Sequence, residues 1–304
     1  MVGWKPNLCI YHGNCDDGFG AAWAIWKRWP DCRFVPAFHG KPLPDVAGAD
    51  VLFVDFAPPI EWIWRHSSKS RSMVIIDHHK TAQADLERLP PFDGTMQSLD
   101  MAFKINWTQN TPEIAAWFDM DQSGAVMAWR FENGMDRDCL PPAMLSYIQD
   151  RDLWRFNHGE DTRWFSAALR TYPMQFEVWD GFAKDPQQLI AEGKIVLRAH
   201  QANIRKLLRE AYMQEIAGHL VPVVNAPYHY ASDTAHELLA EHPDAPFAAC
   251  WFRRGDGQLQ WSLRSEDNRL DVSTIAKQFG GGGHRNAAGF QSTAFLDPDD
   301  DLPF

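Results

Sequence analysis

Apolar residues come in short bursts through the first third of the chain, and each burst ends on a charged or imidazole side chain. Leu8-Cys9-Ile10-Tyr11 runs into His12, Val51-Leu52-Phe53-Val54 into Asp55, and Met73-Val74-Ile75-Ile76 into Asp77-His78-His79. Short runs of this kind, bounded by polar residues, fit strands buried on both faces, the habit of a parallel sheet. Between them lie stretches with helical spacing at 18–29, at 59–66 (opened by Pro59) and at 82–89. Alternating strands and helices predict a doubly wound parallel sheet for the N-terminal part.

Over 111–152 the pattern turns mostly helical, and short helices are predicted at 112–118, 124–132 and 141–149. A longer helix starts at Asp185-Pro186 and is predicted to reach about Met213. Leu189, Ile190, Val196, Ile204, Leu207 and Leu208 form its apolar face, while Arg198, Arg205, Lys206 and Arg209 belong to a solvated one. After Gly218 the chain predicts a strand at 220–224, a helix at 233–241, strands at 247–252 and 259–263, a helix at 272–279, then a glycine run. The fold class is therefore α/β. A doubly wound parallel-sheet domain covers 1–184, a connecting helix 185–217, and a smaller α/β domain 218–304. The acidic stretch at 297–301 reads as a frayed tail.

Charge narrows the range of partners. Lys and Arg number 29 against 40 Asp and Glu, a net charge of −11 over 304 residues. Proteins that live on long nucleic acid usually carry a basic surplus, because phosphate neutralisation supplies most non-specific affinity. An acidic balance fits a small or short anionic ligand gripped by a few residues and metals. The five cysteines are scattered without a Cys-x-x-Cys pair, which argues against a zinc ribbon or a disulfide scaffold. The opening Met1-Val2-Gly3-Trp4-Lys5-Pro6 has no signal-peptide pattern and no apolar run is long enough to span a membrane, so the cytoplasm is the expected location. Of the 14 tryptophans, Trp23, Trp26, Trp62, Trp64, Trp117 and Trp129 sit in predicted amphipathic helices, where core packing is the expected role.

The strand ends deliver one kind of chemistry repeatedly. His12, Cys15, Asp16 and Asp17 follow the first strand, Asp55 the second, and Asp77, His78 and His79 the third, while Asp150 and Asp152 end a later helix. A single Asp after a strand is ordinarily a cap or turn residue. Three consecutive parallel strands ending this way bring their polar residues to one sheet edge, where ligands of open α/β sheets bind. Carboxylates mixed with imidazoles, without thiolate clusters, favour Mn²⁺ or a similar divalent ion over structural zinc. A second constellation lies in Gly280-Gly281-Gly282-Gly283-His284-Arg285-Asn286-Ala287-Ala288-Gly289. Four glycines let backbone N–H groups approach an anion, and His284 and Arg285 add donors at the start of a helix-like segment. Arg264, at the end of the strand before it, can pair with the same anion or form a surface salt bridge.

These two constellations, in this order, resemble the DHH phosphoesterase superfamily, in the branch with a C-terminal DHH-associated domain. Relatives there include RecJ-type exonucleases, nanoRNases and cyclic-dinucleotide phosphodiesterases. The resemblance runs from His12 to Phe290 and is carried by His12-Gly13-Asn14-Cys15-Asp16-Asp17-Gly18, Val54-Asp55, Ile76-Asp77-His78-His79, Asp150-Arg151-Asp152 and the glycine-His-Arg-Asn-Ala-Ala-Gly segment. It implies two divalent ions, Mn²⁺ ahead of Mg²⁺. Carried over by position, His12, Asp17, Asp55, His78 and Asp150 look like ligands, with Asp55 as the bridge. Asp77 and His79 would orient ligands or touch the scissile phosphate, and Arg264, Gly282, Gly283, His284 and Arg285 would hold the rest of the substrate. The first motif departs from the family pattern, since the second expected Asp falls on Gly18. Asp16 and Asp17 share the duty, or Cys15 takes part, or one ion is weakly held. Asp150 is preferred to Asp152 because it follows the apolar helix directly.

The implied reaction is metal-assisted hydrolysis of short oligoribonucleotides or linear dinucleotides to 5′-mononucleotides, in a cleft between the domains that limits substrate length. The alternatives are a 3′-phosphoadenosine 5′-phosphate phosphatase, a single-stranded DNA exonuclease and a non-catalytic nucleotide sensor. A homodimer is compatible with each.

Overall fold

The computed structural model describes residues 3–108, 112–133 and 140–293, so Cys139 and the acidic stretch at 297–301 lie outside the described residues. The chain divides into two units, Met1–Leu197 and Arg198–Phe304.

In the first unit β1 (Leu8–His12) leads through α1 (Asp16–Arg28) to β2 (Arg33–Ala37), and the chain then crosses back to β3 (Asp50–Val54). From there α2 (Ile60–His66), β4 (Ser72–Asp77), α3 (Lys80–Asp85), α4 (Met96–Thr108) and β5 (Glu113–Phe118) extend the sheet the other way. The order is β2-β1-β3-β4-β5, with every pair parallel. The strand order reverses between β1 and β3, and such a switch point opens a crevice outside the carboxyl ends of the strands.

Alternation along the strands sends side chains to two cores. Val74 and Ile76 of β4 pack with Trp23 and Ala24 of α1, whereas Met73 and Ile75 pack with Phe56 and with Ile63 of α2. All six residues of β4 are buried, as a central parallel strand requires. Each large apolar side chain so placed contributes roughly 1.5–3 kcal/mol relative to exposure. The first core is thickened by α5 (Gly124–Asn133), α6 (Ala143–Asp152), α7 (Glu160–Leu169), α8 (Phe176–Lys184) and the start of α9 (Gln187–Leu208). Trp23, Trp26 and Trp129 join that core and Trp62 the other, while Trp64 is 50% exposed and joins neither.

Some segments depart from the pattern reading. Residues 112–118, expected as a helix, hold the edge strand β5. Ile114 and Ala116 feed one core and Ala115 and Trp117 the other, so strand pairing overrides the helical preference of two alanines. β2 was hidden by Pro36, which an edge strand tolerates, and α4 was not anticipated. The helix expected at 82–89 is α3, which starts at Lys80 and stops at Asp85. The long helix ends at Leu208 rather than near Met213, and Tyr212 already belongs to a strand.

The second unit carries β6 (Tyr212–Ile216), β7 (His219–Asn225), α10 (Tyr228–Glu241), β8 (Ala248–Arg253), β9 (Leu259–Arg264), α11 (Val272–Gln278), β10 (Gly282–His284) and β11 (Ala287–Ser292). Its mixed sheet runs β10-β11-β9-β8-β7-β6, with β7 and β8 parallel across the α10 crossover. Val221, Phe247, Trp261 and Leu263 pack with Val272 and Ile275 of α11, and Val224, Ala248 and Cys250 pack with Leu238 of α10. The glycine run does not open a helix. It leaves α11 and enters the antiparallel pair β10–β11. Among the described residues no helix is long and apolar enough to cross a membrane.

Candidate metal centre

The switch point places His12, at the end of β1, beside Asp55, one residue past β3. Asp55 has φ of +52°, left-handed backbone that non-glycine residues rarely adopt and that strained functional sites retain. Its carboxylate is 1% exposed, and neither oxygen accepts a hydrogen bond. His78 Nε2 lies 3.2 Å from Asp55 Oδ1 and His12 Nδ1 lies 3.5 Å from Oδ2, and His12 Nδ1 is itself unpartnered. A buried carboxylate with both oxygens unsatisfied is costly unless a cation completes it.

Asp17 forms the opposite wall. Its carboxylate accepts the Gly124 N–H at 2.6 Å and the Ala125 N–H at 3.1 Å, so it sits on the positive end of α5. Gly124 is required there, because a Cβ would stand 2.5 Å from Asp55 Cβ and 3.0 Å from Asp17 Oδ2. His78 Nε2 lies 3.7 Å from Asp17 Oδ2 and 3.5 Å from Asp152 Oδ2. Three groupings have ligand atoms within 4.8 Å of one another: Asp55, Asp77, His78 and His79; His12, Cys15 and Asp55; and Asp17, His78 and Asp152. Asp55 belongs to two of them and His78 to two, which suits a pair of neighbouring divalent ions. Oxygen and imidazole donors dominate the set, the donor chemistry of Mn²⁺ and Mg²⁺ more than of structural zinc.

Charge is crowded here. Burial, then the carboxylates of Asp55 and Asp152, push Asp17 well above the usual carboxylate range. Burial alone would also raise Asp55, but the adjacent His12 and His78 rings, with the charge of His78 and His79, bring it down to about 2. Burial opposes a charge on His78, yet Asp55, Asp17 and Asp152 raise it to about 9. Bound cations would take over the neutralising role that protons play in such a cluster.

Asp77 holds its neighbours in place. Its Oδ1 accepts the His78 N–H at 2.8 Å and the His79 Nδ1–H at 2.7 Å. That bond fixes the tautomer of His79 and is the first cause of its raised pKa.

The sequence alternatives separate by geometry. Asp16 turns to Arg170, whose Nε donates to its carboxylate at 2.9 Å, and Asp16 is outside the three groupings. Cys15 is within reach of His12 and Asp55, and burial, followed by the charge of Asp55, pushes its thiol pKa up. Asp150 does not point into the site. It accepts the N–H groups of Asn157 at 2.8 Å and His158 at 3.2 Å and the hydroxyl of Thr162, so its lone pairs tie down the loop before α7. Asp152 takes the position expected of Asp150.

In the second unit His284 is exposed on β10. Gly283, at φ of +145°, faces Ala288, and a Cβ there would fall 2.5 Å from the Ala287 carbonyl oxygen. Arg285 donates through Nη2 to the carbonyls of Asp267 and Arg269 at 3.0 and 3.2 Å. Arg264 donates to Ser232 Oγ at 3.3 Å and to the Leu263 carbonyl at 2.9 Å. Gly282 has open space where a Cβ would stand.

Pattern reading missed Gly124, whose need becomes visible only once Asp55 lies across from it. It also missed His39, whose ring stacks on Phe56 at 4.8 Å and meets that of His12 at 5.6 Å. Burial and then the neighbouring His12 and His79 lower the His39 pKa.

Comparison with known proteins adds an independent finding. Residues 229–302 match the DHHA1 domain family. The chain is 28% identical over 309 aligned positions to the uncharacterized protein R106 of Acanthamoeba polyphaga mimivirus, covering 94% of this chain and 67% of that protein. Among solved structures it is similar to the pGpG-specific phosphodiesterase PggH of Vibrio cholerae, with 11% identity, a TM-score of 0.47 and coverage of 93% and 92%. It is also similar to Thermus thermophilus RecJ in complex with Mn²⁺, with 16% identity, a TM-score of 0.42 and coverage of 94% of this chain and 49% of that one.

Proposed function

We propose that this chain, whose residues 229–302 match the DHHA1 domain family, is a phosphoesterase that hydrolyses phosphodiester bonds in short oligoribonucleotides or linear dinucleotides, releasing 5′-mononucleotides. The reading rests on Asp55: a buried carboxylate with two unpartnered oxygens, flanked by His12 and His78 and shared by two ligand groupings. In this reading His12, Asp17, Asp55, His78 and Asp152 hold two divalent ions, Mn²⁺ ahead of Mg²⁺, with Cys15 available as a further donor. When bound, the ions supply Lewis-acid activation of water and neutralise phosphate charge.

The chain's own groups do the rest. Asp77 orients His78 and His79 for their tasks. His79, kept towards its protonated form by Asp77, contacts the scissile phosphate or gives a proton to the departing oxygen. In the second unit the exposed His284 on the glycine hairpin is the group open to an anion. The net charge of −11 favours short substrates over tracking along a polymer. A reducing, cytoplasmic setting suits the free Cys9, Cys15, Cys32 and Cys250.

Metal-stripped protein, refilled with Mn²⁺ or Mg²⁺, is offered an RNA dinucleotide, 3′-phosphoadenosine 5′-phosphate and a long single strand of DNA, and the products are separated. The expected result is mononucleotides from the dinucleotide, faster with Mn²⁺. Phosphate released from the bisphosphate alone, shortening of the long strand alone, or nucleotide binding without metal uptake would each replace this reading with another.

A further inference from the structure

A cavity of about 510 Å³ adjoins the metal centre within the first unit, and Asp17 and Asp152 share its lining with Arg151, Trp154, Arg170 and Tyr172. Trp154 is 67% exposed, an unusual state for so large an aromatic ring. It has φ of +55°, and Phe156 two residues on has φ of +52°. Bulky side chains disfavour that conformation, and it persists only where the surroundings over-determine it.

The surroundings do so here. The Asp150 carbonyl accepts the Arg155 N–H at 2.9 Å, its carboxylate holds Asn157 and His158, and Arg155 Nη2 donates to the Asp121 carbonyl at 2.9 Å. The Arg151 guanidinium lies 4.0 Å from the Trp154 ring and 5.4 Å from Phe156, and Arg163 lies 4.3 Å from Phe156. The result is a cluster of two arginines and two aromatic rings, of which Arg151 and Trp154 line the cavity and the Trp154 and Phe156 rings meet edge to face. Asp152, within the same short segment, reaches His78. Arg170 stands on the cavity wall, held by Asp16 at 2.9 Å.

We propose that this cavity is a nucleoside-phosphate subsite, in which Trp154 stacks on the nucleobase beside the scissile phosphate and Arg170 neutralises that nucleotide's other phosphate. Aromatic rings interleaved with guanidinium groups are the chemistry that grips single-stranded nucleic acid, and every base offers a π-face, so the subsite accepts all four bases. Asp16 and Asp150 are then positioning residues, the first for Arg170 and the second for the loop carrying Trp154. The proposal rests on the phosphodiesterase reading and adds how the site distinguishes nucleotides from simple phosphoesters.

The test compares kcat/KM for an RNA dinucleotide with that for an analogue whose 5′ base is replaced by hydrogen, in Mn²⁺-loaded protein. A parallel series carries the base at the 5′ position and lacks the 3′ one. In the wild-type protein the complete dinucleotide is favoured by about 5- to 100-fold over one of the two analogues. Trp154→Ala brings that ratio towards one and Trp154→Phe keeps most of it. A Trp154→Ala protein with native circular dichroism and the wild-type ratio overturns the subsite while leaving the phosphodiesterase reading intact. If the wild-type protein cleaves neither substrate, the phosphodiesterase reading fails instead. Equilibrium binding of adenosine 5′-monophosphate to metal-loaded wild-type and Trp154→Ala protein then decides the subsite alone: weakening by about fivefold or more supports it, and equal affinity overturns it.

Discussion

Each unit of this chain gathers histidine, glycine and charged residues into one cluster, yet the two clusters treat their charged side chains in opposite ways, although Asn286 Oδ1 of the second is also buried without a partner. In the first unit, Asp55 Oδ1 and Oδ2 and His12 Nδ1 are buried without a hydrogen-bond partner. In the second, Arg285 spends donors on the carbonyls of Asp267 and Arg269, and Arg264 spends its own on Ser232 and Leu263. Buried polar atoms left open point to a missing ligand, because leaving them so costs free energy with no return. Donors already engaged by main-chain carbonyls point to architecture. The comparison therefore assigns chemistry to the strand ends of the first unit, and in the second unit it favours His284 over the two arginines as the group available to a substrate.

The largest effect should come from Asp55→Asn, which keeps the shape and tolerates the left-handed backbone but removes the shared charge. Turnover is expected to fall roughly a thousandfold or more, with metal uptake lost in calorimetry. The melting temperature of the metal-free protein should fall only slightly, because the histidine pairing that holds the Asp55 pKa down is lost while a buried charge without hydrogen bonds is removed. A large drop in metal-free stability would mean that Asp55 is structural after all, and the contrast between the units would collapse.

Gly124→Ala probes the same wall without touching a ligand. The new Cβ would meet Asp55 Cβ at 2.5 Å, so α5 or Asp55 must shift. Overpacking of this kind costs about 1–3 kcal/mol, and displaced ligand support lowers metal affinity by roughly 10- to 100-fold. Metal titration of the variant checks both numbers against its melting curve. Wild-type affinity would show that Asp55 has room to move and is not held at a fixed distance from Asp17.

The second unit gives smaller effects that separate binding from architecture. His284→Ala is expected to raise KM about tenfold with little change in kcat, the loss of one charge-assisted contact. Arg285→Ala is expected to lower stability by about 1 kcal/mol through the bonds to Asp267 and Arg269, with a smaller effect on KM than His284→Ala. The reverse ranking in KM would make Arg285 a substrate contact and show that engaged donors do not mark architecture here.

What the sequence could show of this site follows from the physics of each element. Strand ends are legible because a buried parallel strand must be a continuous apolar run, so the first polar residue after it marks the carboxyl edge. His12, Asp55 and Asp77-His78-His79 were readable for that reason. The choice between Asp150 and Asp152 was not. Two residues apart on a helix, they point about 200° away from each other, so only one reaches the strand ends, and spacing alone does not say which. The glycine run misled for a related reason: a strand of three residues, Gly282–His284, is too short to show any period. β5 was lost because the pairing of Ala115 and Ala116 with β4 is a tertiary fact.

Asp150 allows the finest test, because its carboxylate is buried like that of Asp55 but fully engaged. Burial alone would raise its pKa, but the Thr162 hydroxyl and the N–H groups of Asn157 and His158 outweigh that and hold it below the usual carboxylate value. A depressed folded-state pKa means that the ionised form stabilises the fold at every pH above the unfolded value of about 3.9. That stabilisation fades as pH falls through the folded-state value. Asp150→Ala should therefore cost about 1–3 kcal/mol at pH 7, and the gap from wild type should narrow below about pH 4. Denaturant melts of both proteins from pH 7 down to 3, without added metal, read this directly. A gap that stays constant with pH would mean the engaged carboxylate contributes through packing rather than charge. If Asp150→Ala also abolished metal uptake while the loop stayed folded, Asp150 would belong with Asp55, and the division between open and engaged carboxylates would have to be redrawn.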